Sequence, residues 1–409
     1  MTMSKKVNVM CVQCKGEYHA YENEIDILKC PSCGGDLKLN EAAQAQAPAP
    51  VPASATAEKP AAPPPPKEKA PAAEKPNVTL TEGDVAALEK INKSFDVLQA
   101  EIDKVIVGQK EVIEEIVVAI LANGHCLLEG VPGLAKTLLI SSLSKALSLS
   151  FKRIQFTPDL MPSDITGTDI IQDNPETGKR EFHFLRGPIF ANIVLADEIN
   201  RTPPKTQAAM LEAMQEKQTS VGGKIHDLPK PFFVLATQNP LEQEGTYPLP
   251  EAQQDRFIFK IFVGYPSEEE EKLIIHRVTG RLFKEIEPVL SIDDIMNAQN
   301  LVTRIPVADT VIDFATRLVR STRIGQSGAP DFIGKWVAWG CGPRASIALI
   351  AAAKARAALR NSGYASCDDV VRVAHPVMRH RLAVNYTARA EGINTDNVID
   401  ELLKTIPKY

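Results

Sequence analysis

The chain has 409 residues, a formal net charge of −5, 44% hydrophobic residues and 24% charged residues. Those values exclude a wholly disordered chain, and the length leaves room for roughly two to three domains. No run of 18 apolar residues is present, which rules out a transmembrane helix of ordinary length. Lys5 and Lys6 are not followed by an apolar stretch, so no secretory signal is expected. The mildly acidic balance gives no reason to expect a nucleic-acid binder from charge alone.

Four of the seven cysteines lie in the first 33 residues. Cys11-x2-Cys14 and Cys30-x2-Cys33 are separated by 15 residues, the spacing of a four-thiolate zinc site. Each pair brings two sulfurs to one ion from a tight turn, and two pairs complete a closed tetrahedral shell, structural rather than catalytic. His19 is a spare ligand in the same segment. A ribbon spanning residues 1–40 is too small for an ordinary core, so the metal supplies its folding energy. Its five Lys and five Asp/Glu cancel. Phosphate-backbone binding needs clustered positive charge, so protein docking is the better expectation.

Residues 41–76 contain 10 Pro and 13 Ala and no aromatic residue. Such a segment buries too little apolar surface to offset its conformational entropy. It reads as a tether reaching between about 33 Å as a flexible coil and about 110 Å as polyproline II. Pro63 to Pro66 could dock a proline-recognising groove, but a plain spacer is the simpler reading.

Beyond the tether, short apolar runs recur at Cys126–Leu128, Ile193–Ala196, Phe232–Leu235 and Phe257–Phe259. Runs buried on both faces are what parallel central strands look like. Helical patterns at Lys136–Leu147 and Thr206–Lys217 separate them, which predicts an α/β core with a parallel sheet over 77–266. From 267 to 409 helical patterns dominate, predicting a helical lid. Its Ala-rich helix starts at Pro343 and runs to Arg360, with Gly363 just past the end.

Gly130-Val131-Pro132-Gly133-Leu134-Ala135-Lys136-Thr137 lies between a predicted strand and a predicted helix, the setting of a phosphate-binding loop. Backbone amides and the helix N-terminus would cradle phosphates there, Lys136 would neutralise them and Thr137 would ligate Mg²⁺. Ala135 stands where the usual pattern has glycine. A Cβ is tolerable if the backbone keeps φ negative, and a working loop is expected on that condition. The run Ile193–Ala196 ends in Asp197-Glu198, a Walker B arrangement in which Asp197 holds the Mg²⁺ shell and Glu198 polarises the attacking water. Phe232–Ala236 leads into Thr237-Gln238-Asn239, and Asn239 could orient that water or merely cap the turn before Pro240.

The run from Asp197 to Glu216, DEINRTPPKTQAAMLEAMQE, resembles the hallmark of MoxR-type ATPases of the AAA+ superfamily, in its helix-2-insert group. So do Gln155–Gly167, Gly187–Phe190, Tyr247–Phe257 and, towards the end, Ala374–Arg381, including the alanine at 135. The likeness spans roughly residues 90–390 and leaves out the ribbon and the tether. It implies a parallel-sheet ATPase core, a helical lid and a homo-hexameric ring with ATP bound between subunits. Arg256 then occupies the place of an arginine finger completing a neighbour's site, with Arg201 as the alternative and a surface pair with Asp255 as the plain reading. Arg344 matches the sensor-2 position. An arginine in a first helical turn opposes the helix dipole unless an anion sits there. The segment Thr168–Leu185 reads as a hairpin with Phe182 and Phe184 in alternation, facing a pore or a client, or packing on its own body. Val221–Leu228 is a second candidate insertion. A partner bearing a von Willebrand factor A domain is implied by the resemblance.

Between Arg317 and Arg389 there are 12 Lys/Arg against three Asp/Glu. Nucleotide and subunit contacts explain this as well as a nucleic-acid surface would, and no stacking aromatics are interleaved. The leading expectation is a cytoplasmic ATPase that hydrolyses ATP with Mg²⁺ and remodels a protein complex, the ribbon recruiting a client or adaptor. The alternatives are an ATP-dependent nucleic-acid motor and an ATP-gated binding switch with little turnover; an intact Glu198 counts against the switch. Cys126 reads as a small core residue, and Cys341 and Cys367 show no partner pattern.

Overall fold

A computed structural model describes residues 6–13, 17–21, 29–30, 33, 37–39, 80–173, 180–240, 245–280 and 284–408. The chain divides into two compact units, Met1–Glu74 and Lys75–Tyr409. In the first, β1 (Lys6–Cys11) is the middle strand of an antiparallel sheet between β2 (Glu17–Tyr21) and β3 (Leu37–Leu39). The predicted tether lies outside the described residues.

The second unit opens with α1 (Glu82–Asp103), started by a capping box between Thr81 and Asp84, and α2 (Lys110–Leu121). Then come β4 (Cys126–Glu129), α3 (Lys136–Ala146), β5 (Phe151–Gln155), α4 (Pro162–Thr166), β6 (Gly167–Asp173), β7 (Arg180–Arg186) and β8 (Ile193–Asp197). They are followed by α5 (Pro204–Glu216), β9 (Gln218–Val221), β10 (Lys224–Asp227), β11 (Phe233–Gln238), α6 (Glu251–Gln254) and β12 (Phe259–Phe262). The rest is mainly helical: α7 (Glu268–Thr279), α8 (Ile292–Arg304), α9 (Asp309–Arg320), α10 (Asp331–Trp336), β13 (Val337–Trp339), α11 (Pro343–Leu359), α12 (Cys367–Met378), β14 (Ala383–Val384), α13 (Tyr386–Ala390) and α14 (Thr395–Thr405). Among the described residues, no helix is long and apolar enough to cross a membrane.

The main sheet has the order β12-β4-β11-β8-β5 with every pair parallel. Its apolar runs alternate between two cores, as the period of two demands. Leu127, Val194, Val234 and Ala236 pack against Met210 and Leu211 of α5 on one face. Cys126, Leu128, Leu195 and Leu235 pack against Ile113, Ile116, Leu139 and Leu143 of α2 and α3 on the other. Each fully buried Leu, Ile or Val contributes about 1.5–3 kcal/mol, so both faces anchor the strand ends that carry the site.

Two details differ from the sequence reading. The fourth strand begins at Phe259, because Phe257 turns into the α5-side core and the Ile258 amide donates to the His125 carbonyl. The alanine-rich helix is ended by Asn361 rather than Gly363. Asn361 sits at φ 55°, with its amide on the Ala358 carbonyl and the Ser362 amide on the Ala357 carbonyl, a Schellman closure.

Strands β6 and β7 pair antiparallel, Ile171 opposite Phe182 and Asp169 opposite Phe184. The predicted hairpin is present, and residues 174–179 at its turn lie outside the described residues. Strands β9 and β10 form a second hairpin at the second candidate insertion. Phe184 stacks on His226 of this second hairpin, ring centroids 4.0 Å apart, whereas Phe182 is 74% exposed beside the exposed Ile171. One aromatic therefore packs on its own body and the other does not.

Candidate nucleotide-binding site

The loop Gly130–Ala135 joins the C-terminal end of β4 to α3, at the edge of a parallel sheet where ligands bind in such folds. The Gly130 amide donates to the Gln238 carbonyl at 3.4 Å, and a Cβ on Gly130 would lie 2.7 Å from the Val263 carbonyl oxygen. Gly130 is thus fixed by close packing. Gly133, at φ 87°, has open space around it and keeps the loop's outer rim free for a ligand. Val131 is half-buried, Pro132 is exposed and Leu134 is buried under the loop.

Ala135 overturns one condition of the sequence reading. Its backbone is left-handed, φ 54° and ψ 25°, immediately before α3. The loop keeps the conformation a glycine would adopt and carries the Cβ strain, about 1–2 kcal/mol. Lys136 follows, its Nζ donating to the Gly130 carbonyl at 2.6 Å. Burial lowers the Lys136 pKa, while the nearby Asp197, Glu198 and Glu129 pull it upward. Thr137 is the second residue of α3 and half-buried.

Both Walker B acids stand at the end of β8. Asp197 Oδ1 accepts from the Thr237 hydroxyl at 2.6 Å, and the same hydroxyl accepts from the Glu198 amide at 2.8 Å. Asp197 Oδ2 accepts from Nε and Nη2 of Arg153 at 2.9 and 2.6 Å. Glu198 is itself left-handed, φ 57°, and its Oε2 accepts from Gln155 Nε2 at 2.8 Å and Arg201 Nη1 at 3.0 Å. Arg201, the alternative finger, is thus engaged with its own chain's Glu198.

Asn239 is buried at the end of β11 and lines a cavity of about 350 Å³ with Glu129, Asn200, Gln238, Thr246 and Gln254. The Asn200 Oδ1 atom is buried there without a hydrogen-bond partner. Arg256 is exposed and donates to the Leu211 carbonyl at 2.8 Å, not to Asp255. Asp255 instead holds Arg344 at 3.3 Å and Arg381 at 2.7 Å. The anion that offsets the dipole conflict at Arg344 is therefore supplied by the chain itself. The basic run of 317–389 is largely spent in the same way: Arg356 and Arg360 pair with buried Asp369, Arg372 with Glu111, Arg379 with Asp396 and Lys335 with Glu391.

Sequence reasoning passed over Arg153, Gln155 and Gln109. The first two stand two residues apart on β5, in the register Arg153 opposite Leu195 and Gln155 opposite Asp197. Polar alternation on a strand beside the acidic strand end was the available signal. Gln109 is left-handed at φ 57°, its Nε2 donates to the Leu134 carbonyl at 3.4 Å, and its buried Oε1 has no partner.

In the first unit, the Sγ atoms of Cys11, Cys30 and Cys33 lie within 4.8 Å of one another, and Cys14 lies outside the described residues. The Cys11 and Cys33 sulfurs are 3.5 Å apart, beyond a disulfide bond length.

Residues 125–259 match the family described as ATPases associated with various cellular activities, and residues 334–402 match an AAA lid domain. Chaperone MoxR1 of Mycobacterium tuberculosis is 46% identical over 306 residues, covering 75% of this chain and 80% of that protein. The chain belongs to the MoxR family of AAA+ ATPases. The uncharacterized protein YeaC of Bacillus subtilis is 43% identical over 306 residues, covering 75% of this chain and 92% of that protein. A solved structure of a candidate ATPase from Cytophaga hutchinsonii superposes with a TM-score of 0.73 at 41% identity, covering 79% of this chain and 97% of that one. The five-stranded parallel sheet and lid are the AAA+ fold of this MoxR family. Family membership accounts for a site suited to ATP with Mg²⁺. The residues fit that group: an open glycine rim at Gly133, a lysine at the start of the following helix, and two carboxylates at the end of β8, which is separated from β4 by β11.

Proposed function

We propose that this chain hydrolyses ATP and uses the cycle to remodel or mature a protein complex. It is organised as a ribbon (1–40), a tether (41–76), an ATPase core (77–266) and a helical lid (267–409). The observation that carries this reading is the meeting of Lys136, Asp197 and Glu198 at one edge of the sheet, with Asn239 at the end of the neighbouring strand β11. Gly130 to Ala135 cradle the phosphates and Lys136 neutralises them. Thr137 and Asp197 hold Mg²⁺, which supplies charge neutralisation on the phosphate oxygens. Glu198 orients water and accepts its proton, Asn239 positions that water, and Arg344 contacts the nucleotide phosphates. Arg256, exposed on its loop, reaches the site of the next subunit in a homo-hexamer, where its guanidinium stabilises charge on the transferring phosphoryl group.

Cys11, Cys14, Cys30 and Cys33 hold one structural zinc, supported by the convergence of the three described thiols. The neutral ribbon recruits a client or adaptor, and a protein with a von Willebrand factor A domain is the partner implied by the family. The nucleic-acid alternative loses ground because Arg356, Arg360, Arg372 and Arg379 of the lid are taken up in ion pairs within the chain.

The test is the Glu198→Gln variant, expected to bind ATP without steady-state hydrolysis. Purified from its host with ATP and Mg²⁺, it should retain specific proteins in an ATP-dependent, nuclease-insensitive manner. Recovery of nuclease-sensitive DNA or RNA would instead favour the motor, and undiminished turnover would remove Glu198 from the mechanism.

A further inference from the structure

The segment that carries Arg256 is held by the chain's own lid. Arg381, just beyond α12, is buried, its side chain only 3% exposed. Its Nε donates to Asp255 Oδ1 at 2.7 Å, its Nη2 donates to the carbonyls of Asp255 and Phe257 at 3.2 and 2.6 Å, and its Nη1 donates to the Ile258 carbonyl at 3.1 Å. The neighbouring His380, also buried, adds a bond from Nε2 to the Phe257 carbonyl at 2.9 Å. A carbonyl only accepts, so Nε2 carries the proton. Burial keeps the ring neutral by pushing its pKa well below the ordinary range. Residue 255 on one side of Arg256 and residues 257 and 258 on the other are thus pinned, while Arg256 between them is exposed and holds its own chain through one bond, from Nη1 to the Leu211 carbonyl.

A planar fork is the group suited to this task. Five N–H donors in fixed directions can satisfy a carboxylate and several carbonyls at once, which a lysine cannot. The bonds are cross-domain: the pinned carbonyls belong to the end of the ATPase match, residues 125–259, and the clamp to the lid match, residues 334–402. Asp255 completes the linkage, its Oδ2 accepting from Arg344 at 3.3 Å while its Oδ1 accepts from Arg381. Arg344 is 56% exposed there and loosely held, whereas Arg381 is locked.

We propose that Arg381 is a positioning residue for Arg256, aiming it at the neighbouring subunit through the backbone of Asp255, Phe257 and Ile258. This rests on the finger reading of Arg256. Loss of the clamp leaves the chain's own phosphate loop and Walker B acids intact and misplaces Arg256, which it offers its neighbour, so that part of the defect is complementable in trans.

The experiment uses the full-length protein. Arg381→Ala removes every bond and risks misfolding, so Arg381→Lys, which keeps the buried charge for Asp255 but not the fork, is the working variant. Thermal melting and binding of a fluorescent ATP analogue report on folding and on the chain's own site. Arg381→Lys is expected to lower kcat about tenfold or more with nucleotide affinity within about twofold of wild type. Adding Lys136→Ala subunits, inactive alone but bearing an intact Arg256, should restore turnover. The inference is overturned if Arg381→Lys keeps wild-type kcat, or if its defect comes with lost nucleotide binding and is not relieved by mixing. Arg256→Ala run in parallel separates the two readings. If Arg256→Ala is inactive and Arg381→Lys is fully active, only the clamp falls. If Arg256→Ala keeps turnover, the finger reading falls and the clamp with it.

Discussion

His125 should make the ATPase core acid-labile by a calculable amount. It is fully buried just before β4, its Nδ1 accepts from the Val234 amide and its Nε2 donates to the Met214 carbonyl, both at 3.0 Å, with Phe232 and Phe233 against the ring. The neutral ring therefore ties the C-terminal end of α5 to β11 with both nitrogens used. Burial lowers its pKa from 6.5 to about 4. Because the folded value is depressed for a base, the contribution is complete above pH ~6.5 and is lost as pH falls from there towards 4. The population ratio gives a loss of about 2 kcal/mol by pH 5 and about 3 kcal/mol by pH 4. The comparison is with His125→Gln, which retains a donor and an acceptor and does not titrate. Urea unfolding of both proteins at pH 7.5, 6 and 5 gives the stability gap between them. That gap should shrink by about 2 kcal/mol between pH 7.5 and 5, all other titrations cancelling in the difference. A gap constant with pH would refute the reasoning, since it would mean that the ring takes a proton without breaking either bond.

Ala135→Gly should stabilise the unliganded protein by about 0.5–1 kcal/mol: relief of about 1–2 kcal/mol of left-handed strain less the 0.5–1 kcal/mol entropy of glycine. A lower melting temperature would contradict the left-handed assignment. Gln155→Ala removes one of two donors to Glu198 Oε2 and should raise basal ATP turnover about fivefold, the equivalent of about 1 kcal/mol; a tenfold fall would instead make Gln155 part of the chemistry. Metal analysis of the intact protein should find about one zinc per chain, and Cys30→Ser should release it. Zinc retained at full stoichiometry in that variant would sink the ribbon site.

The strand end that leads through the loop to Lys136, and those carrying Asp197, Glu198 and Asn239, were legible because buried parallel strands are apolar throughout, and a polar residue at their end has few structural reasons to be there. Strand β5 was not legible. It is the sheet's edge, with Lys152 and Arg153 exposed, so it lacks the continuous apolar run that revealed its neighbours. With it went Arg153 and Gln155, whose roles depend on a register that places them beside the acids. The partners of Arg344 and Arg256 were hidden for a similar reason: Asp255 adjoins Arg256 in sequence but pairs with arginines 89 and 126 residues away. Neither residue type nor spacing encodes such long-range choices.

The backbone of the site shows what its geometry costs. Gln109, Ala135 and Glu198 are all left-handed without being glycine, each a conformation that costs about 1–2 kcal/mol for an L-residue. They lie at three different junctions: the start of α2, the start of α3 and the end of β8. Elsewhere the chain uses such angles both at glycines, for example Gly222 and Gly223 between β9 and β10, and at Asn123, Ser148, Lys217 and Asn361. Of the seven left-handed non-glycine residues among those described, these three border the phosphate loop and the acids, where strain of this kind can be part of a functional site. Each is restrained from outside: the Gln109 amide grips the Leu134 carbonyl, α3 is packed through Leu139, Ile140 and Leu143, and the Glu198 amide is fixed on Thr237. A glycine at 135 would ease the strain but also free the residue before Lys136. The alanine therefore trades about a kilocalorie of stability for a loop with fewer conformations to lose when phosphate binds.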